Sequence, residues 1–257
     1  MKKVVVTGST SGIGLGVAYA FAKEGHKLVL NGLEVPSEVE HLLAEVKNLS
    51  GQKPLYSNAD LSKEEGCKEL IEVATSDGLS VDVLVNNAGV QFKAPVEHFP
   101  TEKWRFVLAL NLDAPFLLSK MVLPAMYQKK WGRLIHISSV HGLVASLEKS
   151  AYVSSKHGLL GFSKVVALEA AGRGVTSNCI CPGWVLTPLV EEQIKGIAQK
   201  ENCSFEEAKT KLLFEKQPSK EFATPEQLGT AALFFASDHA AQVTGAHLTM
   251  DGGWTAP

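Results

Sequence analysis

Short β-rich runs recur along the chain at residues 3–7, 27–31, 55–58, 81–86, 133–138, 175–180 and 247–250. Longer stretches with helical spacing lie between them. Strand alternating with helix predicts βαβ crossovers, and so a parallel sheet covered by helices on both faces. Polar residues mark where helices begin. Ser62-Lys63-Glu64-Glu65 and Thr224-Pro225-Glu226-Gln227 both carry the capping-box pattern, the second with proline at its favoured first helical position.

One segment breaks the rhythm. Between the strand ending near Ile180 and the helix opening at Pro225, more than forty densely charged residues contain no strand. Thr187-Pro188 opens one helix there, and Ser204-Phe205-Glu206-Glu207 caps another. A helical pair inserted over 187–220 reads as a lid over a ligand; a solvated insertion or an oligomer contact is the alternative. No repeat or linker divides the chain, so 1–257 is expected to be one domain.

Composition narrows the function classes. At 257 residues the chain is long enough to bury a large core without disulfide, metal or partner. Twenty-five basic residues against 27 acidic ones give a net charge of −2. That balance argues against a nucleic-acid binder or a polybasic membrane binder. The apolar run after Lys2-Lys3 is too short for a signal peptide, and no bilayer-spanning stretch is expected. The cysteines, Cys67, Cys179, Cys181 and Cys203, form no C-x-x-C pair, and the histidines show no ligand spacing. A cytoplasmic protein with reduced thiols and no catalytic metal is expected.

Chemistry enters at the first turn. The first strand runs into Thr7-Gly8-Ser9-Thr10-Ser11-Gly12-Ile13-Gly14 and then a helix. Such a unit gathers backbone amides and a helix N-terminus at one point, an anion site suited to a pyrophosphate. The second strand ends at Asn31-Gly32-Leu33-Glu34, and no Lys or Arg occurs between Lys27 and Lys47 or in the glycine turn. A ribose 2′-phosphate needs a cation there, so NAD is favoured over NADP. Either Asn31 or Glu34 serves the ribose.

Hydride transfer from an alcohol also needs a base. Tyr152 and Lys156 stand one helical turn apart on one face, where an ammonium favours phenolate. Ser139 ends the fifth strand, where open α/β sheets present ligands. Gln91, His141, Lys149 and Gln193 fall just beyond strand ends, and Trp184 can wall the same pocket. One cation among neutral or switchable donors suits a small carboxylate.

Together these residues resemble the classical short-chain dehydrogenase/reductase family over essentially the whole chain. The likeness rests on the T-G-x-x-x-G-x-G turn at 7–14, Asn86-Asn87-Ala88-Gly89, Asn111, Ser139, Tyr152, Lys156 and Pro182-Gly183. It implies a single Rossmann-type doubly wound α/β domain with a seven-stranded parallel sheet, usually assembled as a homotetramer. Tyr152 would be the acid/base and Ser139 a donor to the substrate oxygen. Lys156 would lower the tyrosine pKa and hold the nicotinamide ribose, while Asn111 would anchor a relay water. The implied cofactor shell is Gly8, Thr10, Ser11, Gly12, Ile13 and Gly14, then Leu33, Ala59, Asp60 and Leu61, then Asn87, Ala88 and Gly89. Tyr152, Lys156, Pro182, Gly183, Val185 and Thr187 complete it.

A narrower likeness is to the bacterial members of that family that oxidise (R)-3-hydroxybutyrate. Residues 86–92, 138–146, 149–152, 181–189 and 216–227 carry it. It implies that Gln91, His141, Lys149 and Gln193 grip the substrate carboxylate beside Trp184, with Ser139 and Tyr152 at the hydroxyl. The reaction implied is reversible NAD-linked oxidation to acetoacetate. Leu33-Glu34 departs from that group, which often carries Phe-Gly-Asp at this point. Two other readings stay open: an NADPH-dependent 3-oxoacyl-thioester reductase, and an NAD-binding regulator without chemistry.

Overall fold

The computed structural model describes residues 1–256; position 257, the last of the expected domain, lies outside them. The strands are β1 (Lys3–Val6), β2 (Lys27–Asn31), β3 (Leu55–Ser57), β4 (Val83–Asn86), β5 (Gly132–Ile137), β6 (Val175–Pro182) and β7 (His247–Met250). The helices are α1 (Gly12–Lys23), α2 (Glu40–Ser50), α3 (Glu64–Thr75), α4 (Thr101–Leu108), α5 (Ala114–Lys129), α6 (Ser150–Glu169), α7 (Pro188–Glu201), α8 (Phe205–Lys216) and α9 (Pro225–Ala236). Every expected strand is present.

All seven strands are parallel in one sheet, ordered β3-β2-β1-β4-β5-β6-β7. Alternation along β1 shows how both faces are covered. Val4 and Val6 pack with Val17 and Phe21 of α1 and Leu228 of α9. Val5 points the other way, toward Leu70 of α3 and Leu118 of α5. Each such side chain contributes about 1.5–3 kcal/mol on full burial. The strand order reverses between β1 and β4, which opens a crevice at the carboxyl ends of the strands.

Helix starts follow the sequence signals with one exception. Thr224 with Gln227 and Ser204 with Glu207 form complete capping boxes, and Thr187 Oγ1 accepts from Val190 N–H ahead of Pro188. Ser62 does not cap α3. Its hydroxyl and backbone N–H both donate to Asp60 Oδ1, and Lys63 takes the N-cap position without a side-chain bond. The Ser62 hydroxyl is turned toward the carboxylate two residues upstream and away from the helix amides it would have accepted from.

The expectation of no bilayer-length apolar stretch is corrected by α4 and α5. They join through a π-helical turn, Ala109–Asp113, into a 29-residue helix, Thr101–Lys129, of mean hydropathy 1.6 in its most apolar window. By length and composition it is able to cross a membrane. Asn111, Asp113 and Lys120 interrupt its apolar runs, but the Leu, Val and Phe residues around them keep the mean hydropathy high. Here its inner face packs on the sheet through Ala114, Leu118, Val122 and Met126.

The inserted pair α7 and α8 has a small core of its own. Val190 and Ile194 pack on Ala208, with Trp184, Leu186 and Phe222 against them. This body sits beside the carboxyl end of β6, above the crevice.

Candidate active site

The crevice is a cleft of 540 Å³ that runs from the glycine turn to α7. Its first wall is the β1–α1 turn. Gly8 and Gly12 have φ of +57° and +54°, the left-handed region that favours glycine. A side chain on Gly14 would put its Cβ 2.1 Å from Gly8 O, so the turn closes only with glycine there. Ser11, the N-cap of α1, makes no side-chain cap, which leaves the first amides of the helix for a ligand. The turn is stapled to the end of β4. Thr7 Oγ1 accepts from the N–H groups of Asn87 and Ala88, each at 2.9 Å, and Asn87 Nδ2 donates to the carbonyls of Thr7 and Gly8.

Asn31 and Glu34 separate clearly. Asn31 is buried, with Oδ1 accepting from Gly8 N–H and Nδ2 donating to the carbonyls of Ser57 and Ala59. All its polar capacity supports the turn. Both residues line the cleft, but the Glu34 carboxylate is the exposed one, its Oε1 accepting from Thr10 Oγ1 at 3.1 Å. Leu33 beside it is 73% exposed, an apolar surface at the mouth. Asp60 also lines the cleft, but its carboxylate is engaged with Ser62 and Lys63 and held below its ordinary pKa, first by the Ser62 hydroxyl.

At the other end stand the residues suited to proton transfer. α6 carries Tyr152 and Lys156; the Lys156 Nζ lies 5.6 Å from the Tyr152 ring centroid and donates to Ile137 O at 2.8 Å. Burial pushes the Lys156 ammonium down to about 8. Burial raises the Tyr152 phenol above its ordinary value, opposed by a hydrogen bond with Ser139. In the protein alone Tyr152 is therefore a neutral phenol, not the acidified one expected from Lys156; desolvation of the phenolate dominates. Asn111 lies in the π-helical turn. It accepts from Val90 N–H and donates to Val90 O, both at 2.9 Å, and donates to Ser155 Oγ at 3.1 Å. Its side chain braces the 87–91 loop and does not itself line the cleft.

Every other site residue expected from sequence does line it. Gln91 and Gln193 make no side-chain hydrogen bond among the described residues, so their amides are available to a ligand. Lys149 is only 9% exposed and has no ion-pair partner among the described residues. Burial and then the Lys93 charge push it down to about 8. His141 bridges Ser139 Oγ and Ser146 Oγ through its two nitrogens, at 3.3 and 2.8 Å. Burial, and then Lys149, lower it to about 4, so it is neutral near pH 7 and does not switch there.

Two residues at the site were not expected from the sequence. Trp254 closes the pocket, its ring 5.5 Å from His141 and 6.3 Å from Trp184. Gln217 is buried and accepts from Trp184 N–H at 3.0 Å, fixing the tryptophan backbone. Trp254 follows β7 in an irregular segment with no periodicity, and Gln217 lies in the 216–227 stretch that carries the narrower likeness, which gives it no role.

Comparison with known proteins decides the family. A family model described as short chain dehydrogenase matches residues 2–198. This chain belongs to the short-chain dehydrogenase family. As a short-chain dehydrogenase it is 50% identical to a D-beta-hydroxybutyrate dehydrogenase of Cupriavidus necator over 99% of this chain and 98% of the relative. It is 48% identical to the protein of the same name from Rhizobium meliloti, over 99% of each. Among solved structures, L-sorbose reductase from Gluconobacter frateurii, complexed with NADPH and L-sorbose, superposes with a TM-score of 0.94 at 31% identity, covering 98% of this chain and 96% of that one. The short-chain dehydrogenase fold and a nicotinamide cofactor follow from these matches.

Proposed function

We propose that the protein catalyses reversible oxidation of (R)-3-hydroxybutyrate to acetoacetate with NAD. The observation that carries the proposal is Lys149: a nearly buried cation without a carboxylate partner among the described residues, at the Tyr152 end of a cleft that the free amides of Gln91 and Gln193 also line. A small carboxylate supplies the missing charge. The two relatives named for this activity support the same substrate.

The residues present fit a dinucleotide. Uncapped amides of α1 and the left-handed Gly12 form a cradle that a Cβ would enter, with Thr187 opposite. Gly8, Ser11 and Ile13 would surround the pyrophosphate, Leu33 and Ala59–Leu61 the adenosine, and Gly89, Pro182–Gly183 and Val185 the nicotinamide half. When bound, the cofactor supplies the hydride acceptor. Glu34 with Thr10 suits a ribose diol and repels a 2′-phosphate. The cations lining the described cleft, Lys149 and Lys156, are both at its catalytic end. These features support NAD over NADP and disfavour the NADPH-linked thioester reductase.

For oxidation, Tyr152 first loses its phenol proton to solvent; the phenolate then takes the substrate hydroxyl proton while Ser139 donates to the substrate oxygen, and in the reverse direction the phenol returns that proton. Lys156 holds positive charge beneath the phenol, so the phenolate is stabilised as it forms. Asn111 keeps the 87–91 loop in place, which fixes Gln91. A non-catalytic regulator has no use for this constellation.

We infer further that α7 and α8 close over the ligand, since Val190 and Gln193 roof the cleft and the pair has its own core. Equal protease sensitivity of residues 187–220 with and without NAD plus a substrate analogue would contradict closure. Exposed apolar side chains on α5 and α6 (Phe116, Val165, Leu168) and on α9 and β7 (Phe234, Leu248) support a homotetramer; a monomer by light scattering would exclude it. Four free thiols support a cytoplasmic location, which fractionation of cells tests. Turnover of (R)-3-hydroxybutyrate with NAD is the test of the activity itself.

A further inference from the structure

Beyond Lys149 a second cavity of 390 Å³ opens, with Lys149, Trp184, Gln193 and Trp254 common to it and the cleft. Lys93, Lys200 and Lys216 line its far side, and none of its described lining residues is acidic. Their fields reach the site: Lys93 depresses Lys149, and Lys93 and Lys216 both depress His141. The contrast within the helical pair is informative. Lys195, Lys209 and Lys211 are each paired with a glutamate. Lys200, which faces the cavity, has no ion-pair partner among the described residues. Lys93 and Lys200 are exposed and screened by water, yet with the nearly buried Lys149 their charges add around one hollow and favour an anion there. A monocarboxylate held by Lys149 leaves Lys93 and Lys200 without a counter-ion among the described residues.

We propose that this cavity is a second anion subsite, which takes the distal carboxylate of a 3-hydroxyacyl conjugate extended through its own carboxyl group. The inference rests on the substrate assignment above. The acyl carbonyl would meet Gln91 and Gln193 where the free carboxylate otherwise lies, and the tail would pass Lys149 toward Lys93 and Lys200. A separate oxyanion is disfavoured because the hollow exceeds one such ion in size and shares four lining residues with the cleft. The chemistry is unchanged: the C3 hydrogen leaves as hydride to the oxidised dinucleotide and the hydroxyl proton goes to Tyr152. The bond to the tail is not broken.

The test compares three compounds: (R)-3-hydroxybutyrate, N-[(R)-3-hydroxybutanoyl]glycine, and the uncharged N-methyl amide of (R)-3-hydroxybutanoate. The glycine conjugate is expected to exceed the amide by about tenfold or more in kcat/KM, the scale of one charge-assisted contact. In the Lys93→Gln/Lys200→Gln double variant that advantage should vanish, with (R)-3-hydroxybutyrate turnover within about threefold of the parent. A second readout needs no turnover: quenching of tryptophan fluorescence as the conjugate is titrated into Tyr152→Phe protein with NAD. The double variant should weaken that binding about tenfold. Equal use of conjugate and amide by the parent, or equal loss of both in the variant, overturns the subsite. So does competition by inorganic phosphate that saturates equally well without any preference for the conjugate. Failure of (R)-3-hydroxybutyrate turnover alone, with conjugate binding intact, would instead strike the substrate assignment.

Discussion

Lys156 lies beneath Tyr152, its Nζ 5.6 Å from the ring centroid and tied to Ile137 O at 2.8 Å. That bond anchors the ammonium to the end of β5, so the charge cannot swing away from the phenol. The arrangement makes the phenolate reachable without making it the resting state, because burial still raises the Tyr152 pKa.

Tyr152→Phe removes the proton acceptor and leaves the cleft shape nearly unchanged. Turnover should fall by about 10²–10⁴, while NAD binding, followed by calorimetry, stays within a few-fold of the parent. Surviving activity would remove Tyr152 from the acid/base role.

Lys149 sets a pH dependence of KM. Its ammonium, lowered to about 8, is charged below that pH and neutral above it. KM for (R)-3-hydroxybutyrate should therefore rise as pH passes about 8, whereas Lys149→Ala should show a high KM with no such step. Steady-state kinetics from pH 6 to 9.5 read this out. Lys156 titrates nearby, at about 8, but its loss should appear in kcat.

The cofactor preference is assigned to one carboxylate. Glu34→Gln keeps the hydrogen-bonding reach toward Thr10 and removes the charge. The ratio of kcat/KM for NAD over NADP should drop by about tenfold, measured with both cofactors at fixed substrate. An unchanged ratio would mean that Glu34 does not face the ribose.

Two buried imidazoles make the fold acid-sensitive. His136, between Asn86 and Ser177, is lowered to about 3 by burial, and His141 to about 4. Unfolded histidines take up protons near pH 6.5, while these do so only far below. The unfolded state thus binds more protons, and stability is lost as pH falls from about 6.5 toward 4. Melting temperature should decline over that window, and less steeply in His136→Gln.

Much of this was legible from sequence because it depends on local pattern. The parallel sheet follows from apolar runs such as Val4-Val5-Val6, and the glycine turn from Gly8, Gly12 and Gly14 directly after a strand. Tyr152 and Lys156 were readable because helical spacing alone puts them on one face. What escaped depends on long-range partners. Asn31 and Glu34 looked equivalent until the fold turned Asn31 inward to Gly8, Ser57 and Ala59. Asn111 stood out as a residue, but its bracing of Val90 comes from a π-helical turn that no local signal announces. Ser62 had the capping pattern, but its hydroxyl turns to donate to Asp60 and leaves the helix amides. Trp254 reaches His141 from beyond the last strand, across a contact that only the assembled sheet creates.

The most direct test is NADH formation by the purified protein given each enantiomer of 3-hydroxybutyrate separately. Rapid NADH formation with the (R) form, and little with the (S) form or with NADP in place of NAD, is expected. No turnover of the (R) form, alongside oxidation of another secondary alcohol, would contradict the substrate assignment built on Lys149, Gln91 and Gln193.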